Sequence, residues 1–263
     1  MPSAVNPVDA QTIYFDASSN GSPPVLLLHG SALSRSIWRG LGYVKALEPE
    51  FDTIRMDLRG HGRSSKPHDP ASYAMDLVVA DVLAVLEATG HESVHVVGYS
   101  FGSRVGLSLA INYPTKVRSL TMLGGTHAIE AQHISTLFFD GYLEALKTGT
   151  MDAFVAGMES DGGKLDPATR LAFASNDALA LAAYFESTEA GNAVSEMLLA
   201  QLATPTLLMT GTRDVPRIDH SRTMASVMPN ARMVELVGRT HGGTLFPPEP
   251  ILEQLLPFLR VNP

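Results

Sequence analysis

Apolar positions along the chain follow two rhythms. Short runs rich in β-branched and aliphatic residues read as strands: TIYFDAS (12–18), PVLLLHG (24–30), FDTIRMD (51–57), SVHVVGY (93–99), VRSLTML (117–123), TPTLLMTG (204–211) and ARMVELVG (231–238). Between them, apolar residues recur every three or four positions. This spacing predicts helices over 36–47 (Ile37, Trp38, Leu41, Val44), over 73–89 with Gly90 as the stop, and over 104–112, ending before Pro114. Two more are predicted, from about Ser221 and over 250–260. The turn signal SNGSPP between the first two runs predicts two strands joined by a tight turn. Strands alternating with helices predict an α/β fold with a mostly parallel sheet covered on both faces. The alternation stops at 126–203, where the pattern is helical throughout: 138–146, 151–158, 169–185 and 193–202. The expected organisation is a core of residues 1–125 and 204–263, with a helical cap at 126–203 over the strand ends, where such sheets bind ligands.

Composition narrows the chemistry. The 263 residues are 45% apolar and 17% charged, enough for a large core. There is no cysteine, which excludes disulfides, thiolate metal sites, iron–sulfur clusters and a cysteine nucleophile. The net charge of −8 is uneven: the helical stretch holds 11 of the 27 acids and 3 of the 19 bases, leaving the rest balanced. Without a basic face, neither nucleic acid nor an anionic membrane is an expected partner. The first residues, MPSAVNPVDA, show no basic and apolar leader pattern, and no apolar run approaches the roughly 20 residues of a membrane span. A cytoplasmic monomer or homodimer is the expectation.

One segment carries two catalytic signatures. GHESVHVVGYSFG (90–102) contains H-E-x-x-H from His91 and G-x-S-x-G from Gly98. The first needs a helix, on which histidines four apart share a face and can grip one metal ion. On a strand they stand about 13 Å apart. Gly90 ends a helix, and Val94, Val96 and Val97 favour a strand, so His91 reads as a surface residue and His95 as a packed sheet residue. No metal site is expected. The second signature needs a strand, a sharp turn and a helix, and that context is present. Ser100 stands at the tip of the turn, and the N–H of Phe101 opens a helix, where it can bind an oxyanion.

With LLLHGSALSRSIW (26–38), DLRGHGRS (57–64), GYSFG (98–102), LLMTGTRDVP (207–216) and GRTHGG (238–243) in this order, the chain resembles the α/β-hydrolase superfamily over nearly its whole length. The resemblance implies an eight-stranded, mostly parallel sheet with helices on both faces, a helical cap inserted after the sixth strand, and a triad in the order serine, acid, histidine. It implies Ser100 as nucleophile, His241 as base and Asp214 as acid, with Asp219 and Glu130 as alternative acids. Serine at position 100 argues against the related dehalogenases and epoxide hydrolases, whose covalent chemistry needs a carboxylate there. By the same resemblance the backbone N–H of Ser31 joins that of Phe101 in the oxyanion hole. His29, Asp57, Arg59 and His61 read as structural, and Arg104 as a surface or salt-bridge residue.

The expected reaction is acyl transfer without a cofactor, on a small, neutral to mildly apolar ester or lactone. Apolar residues of 126–203 supply the pocket, among them Phe138, Phe154 and Tyr184, with His127 at its base. Cleavage of C–C bonds in ring-fission dienones and cofactor-free perhydrolysis remain open as alternatives on the same triad. A slow-turnover ligand receptor remains open as an alternative of another class.

Overall fold

The computed structural model describes residues 2–128, 134–191 and 193–262. In chain order, β1 (Ser3–Val5), β2 (Thr12–Ala17) and β3 (Pro24–Leu28) lead into the short helices α1 (Ser36–Gly40) and α2 (Tyr43–Leu47). Next come β4 (Asp52–Met56), α3 (Met75–Thr89), β5 (Val94–Tyr99), α4 (Phe101–Asn112) and β6 (Val117–Leu123). Among the described residues five α-helices follow without a strand: α5 (Tyr142–Lys147), α6 (Met151–Gly162), α7 (Pro167–Ala174), α8 (Ala178–Glu189) and α9 (Glu196–Gln201). The chain closes with β7 (Thr206–Gly211), α10 (Arg217–Val227), β8 (Ala231–Leu236) and α11 (Glu249–Arg260). No helix among the described residues is long and apolar enough to cross a membrane.

The eight strands form one sheet in the order β1-β2-β4-β3-β5-β6-β7-β8. The β1–β2 and β2–β4 pairs are antiparallel; every later pair is parallel. β2 and β3, consecutive along the chain, are therefore not neighbours in the sheet. β4 lies between them, and its pairing with each satisfies both neighbours' edges. The turn residues remain, but Asn20, Gly21 and Ser22 donate their backbone N–H groups to the buried Asp52 carboxylate rather than closing a ladder.

Strand residues alternate between two apolar layers, as the period of two requires. Leu26, Leu28, Val94, Val96 and Leu208 face a core built with α3 and α4, whereas Val25, Leu27, Val97, Tyr99 and Met209 face one built with α1, α2 and α11. Two helices expected to be continuous are broken. Gly42, at φ 86°, separates α1 from α2 in a left-handed conformation that suits glycine. Asp177 caps α8 by accepting the N–H of Ala180, which ends the run that apolar spacing carries through from α7.

Candidate active site

The site forms where the loops after β3, β5, β7 and β8 meet at the carboxyl ends of the strands. The turn from β5 into α4 places Ser100 at φ 53° and ψ −114°, a backbone state uncommon for a residue with a side chain. Its neighbours permit this. A Cβ on Gly98 would overlap the backbone of Gly102 and Ser103, and one on Gly102 would overlap the carbonyls of Leu28 and His29 in and after β3. The Ser100 N–H donates to the Leu123 carbonyl at the end of β6 (2.9 Å), and the Ser103 hydroxyl donates to the Gly98 carbonyl (2.7 Å). The helix thus starts at Phe101, three residues earlier than apolar spacing indicates.

His241 follows β8 and brings Nε2 to 2.9 Å from Ser100 Oγ. Its Nδ1 stands 2.8 Å from Oδ2 of Asp214, the residue three after β7. Asp214 is 3% exposed. Its ionised carboxylate can only accept, so Nδ1 donates and Nε2 is left to accept from the serine hydroxyl. Burial holds the His241 pKa below the ordinary value; the Asp214 hydrogen bond opposes this and the nearby Arg217 charge adds to it. The Tyr99 ring stacks on His241 with centroids 5.2 Å apart, and its hydroxyl donates to the His241 carbonyl (3.2 Å).

Of the alternative acids, Asp219 is exposed on α10 and pairs with Arg222 (3.0 Å), away from His241. Glu130 lies outside the described residues. His29 shapes its loop: Nε2 accepts the Leu58 N–H (3.0 Å) and Nδ1 donates to the Gly30 carbonyl (2.8 Å). His95 is buried in the sheet beside the Ser119 hydroxyl (2.9 Å), and His91 is half-buried before β5. Both H-E-x-x-H histidines thus lie on or before a strand, whose extended chain sets residues four apart at about 13 Å, too far to grip one ion.

Two cavities open on Ser100. The outer one has a volume of 520 Å³ and is mainly apolar, with Leu33, Ile37, Phe138, Phe173 and Leu245 in its walls. The inner one, of 30 Å³, reaches Phe101, Tyr184 and Phe185 and also Arg104, Thr126, Thr188 and Arg217. Ser31 and Phe138 line both. Tyr184, on α8, shares a hydrogen bond of 2.6 Å with the Ser31 hydroxyl and packs edge-on against Phe101. Two expected pocket residues face elsewhere. Phe154 is fully buried among Phe138, Phe139 and Phe173, so it builds the core of the helical segment. His127 packs against His220, and its carbonyl accepts the Val194 N–H (2.8 Å). Arg104 is not a surface residue: it is 8% exposed and lines the inner cavity. Sequence reasoning passed over Arg217 altogether. Its one legible sign is its position three residues after the candidate acid.

A family model described as alpha/beta hydrolase fold matches residues 23–201, a span that includes Ser100 but stops before Asp214 and His241. "Putative carbamate hydrolase RutD" of Caulobacter segnis is 28% identical over 257 residues, covering 91% of this chain and 92% of that protein. Epoxide hydrolase 4 of Mus musculus is 29% identical over 114 residues, covering 43% of this chain; the match spans only 31% of that protein's length. Among solved structures, the enol-lactonase from Burkholderia xenovorans LB400 superposes with a TM-score of 0.83 at 20% identity, covering 98% of this chain and 100% of that one.

Proposed function

Since the chain belongs to the alpha/beta hydrolase fold family, we propose that it is a serine hydrolase that cleaves a small carboxylic ester or lactone through an acyl-enzyme on Ser100. The observation that carries this reading is the unbroken line from Ser100 Oγ through His241 to Asp214, at 2.9 and 2.8 Å. In the proposed reaction Ser100 Oγ attacks the substrate carbonyl while Nε2 of His241 takes its proton. The backbone N–H groups of Ser31 and Phe101 hold the oxyanion. The tetrahedral adduct collapses as His241 returns the proton to the leaving alcohol. Water, deprotonated by the same imidazole, then frees the acid and restores the serine. Asp214 fixes the tautomer and stabilises the imidazolium.

The segment 126–203 acts in this reading as a cap, with Phe138 and Tyr184 forming a ceiling over the nucleophile. The apolar outer cavity supports a neutral, mildly apolar group on at least one side of the scissile bond. Serine at position 100 supports ester-type chemistry over the epoxide opening named for the mouse relative. A fluorophosphonate probe tests the mechanism: labelling of Ser100 that disappears in His241→Ala supports it, and labelling that persists in Ser100→Ala overturns it. A panel of p-nitrophenyl esters, lactones, carbamates and dienones then ranks the bond cleaved.

A further inference from the structure

The two cavities at Ser100 differ in kind as well as size. A water molecule needs about 10–15 Å³ of such free space. The inner cavity, at 30 Å³, therefore takes a group of a few heavy atoms but no long acyl chain. Its wall holds two guanidinium groups, each more than nine-tenths buried: Arg104 at 8% and Arg217 at 6% exposure. Nη1 of Arg217 is buried and makes no hydrogen bond among the described residues. It stands 3.6 Å from Asp214 Oδ1, an ionic contact too long for a hydrogen bond. Burial lowers the pKa of both arginines, and at Arg217 the Asp214 charge opposes this. A planar guanidinium matches a carboxylate in shape and hydrogen-bonding pattern, and the match strengthens out of water.

We infer that the inner cavity is a carboxylate subsite. The substrate is a short ester or lactone whose acyl part carries a carboxylate, held by Arg217 and Arg104, while its apolar remainder lies in the outer cavity. This rests on the serine-hydrolase reading and revises the expectation of a wholly neutral substrate. The acidic surface of 126–203 does not oppose it, because screening in salt confines that field to about 8 Å, whereas the arginines line the site itself.

The test compares p-nitrophenyl hemisuccinate with its neutral counterpart, p-nitrophenyl butyrate, on the full chain. The wild type should show at least tenfold higher kcat/KM for the hemisuccinate. Arg104→Gln should erase that preference, chiefly through KM. Arg217→Gln should also erase it, with an added loss on both substrates because of its place beside Asp214. No wild-type preference, or an equal loss on both substrates in Arg104→Gln, overturns the subsite. If Arg104→Gln does not fold, the wild type alone decides: succinate should slow fluorophosphonate labelling of Ser100 and succinamide should not, and equal behaviour of the two overturns the proposal. Absence of any labelling at Ser100 would instead sink the hydrolase reading, so the two failures are distinct.

Discussion

The turn after β4 and the meeting point of Ser100, Asp214 and His241 draw on similar side chains. In the turn, Asp57 is fully buried and accepts the backbone N–H groups of Arg35 (2.8 Å) and Arg63 (2.9 Å) as well as the Arg35 guanidinium. Nearby, Arg59 is clamped by Asp81 (2.6 Å), and His61 is buried with its Nδ1 against the Arg59 carbonyl (2.9 Å). A Cβ on Gly62, which sits at φ 52°, would overlap the Asp57 carboxylate. These charges lock a backbone, and His61 is sealed from solvent. At the site, Asp214 is equally buried, but the His241 side chain keeps 17% of its surface exposed and faces a serine and the outer cavity. A buried aspartate paired with a basic neighbour therefore does not by itself mark catalysis. What differs is whether the histidine retains an acceptor nitrogen aimed at something that can give up a proton.

Substitutions should separate the two regions. Ser100→Ala should lower kcat by on the order of 10⁶-fold, as loss of a triad nucleophile does, while the thermal midpoint stays near that of the wild type. Asp214→Asn should lower kcat by roughly 10⁴-fold, because the amide presents its N–H₂ to Nδ1 and favours the wrong tautomer; circular dichroism should show an intact fold. Asp57→Asn should have the opposite profile. It takes the buried one of two carboxylates from the Arg35 guanidinium, leaving the partly exposed Asp16 at 2.9 Å, so denaturant unfolding should show a loss of up to about 3–5 kcal/mol, while kcat of the remaining folded protein changes little.

Further effects concern pH. With the His241 pKa held below 6.5, its neutral base form persists under that value, so the acid limb of kcat/KM should have its midpoint below 6.5. Arg217→Gln removes a charge that disfavours the imidazolium and should move this limb to higher pH. Stability should respond to other histidines. Burial lowers His61 to about 3 and His95 to about 4. As pH falls through 6.5, the unfolded chain binds protons that the folded chain refuses, so stability present above 6.5 is lost progressively toward pH 3–4, by at most about 1.4 kcal/mol per unit and group. A thermal midpoint flat from pH 7 to 4 would contradict this assignment.

The sheet and its helices were legible because they rest on local pattern, whereas Asp214 and His241, which meet Ser100, were indicated only by the family resemblance. Period-two apolar runs reveal strands, and the glycines around Ser100 are forced by backbone contacts within a few residues. Pairing order was less legible. SNGSPP has the chemistry of a tight turn, and nothing within it shows that β4 will enter between β2 and β3. The break before α8 was hidden because apolar spacing runs on through 176–177, and only the capping role of Asp177 ends the helix. The inner cavity was hidden most completely. An arginine in a sequence reads as solvated, and the burial of Arg104 and Arg217 depends on helices from distant parts of the chain closing over them. Phe154 and His127 show the converse: residues of the right type in the right segment turned into other cores.

The hydrogen bond between Tyr184 and Ser31 joins the helical segment to the loop beside Ser100. For anyone recombining such enzymes, this makes the segment less modular than its place between β6 and β7 suggests. A graft that exchanges it for a relative's helices also removes the hydroxyl that steadies the loop after β3. Donors that bring a tyrosine to the position of Tyr184 should transplant their selectivity cleanly. Donors that lack one should arrive with a loosened loop after β3, and their losses would be misread as poor substrate fit.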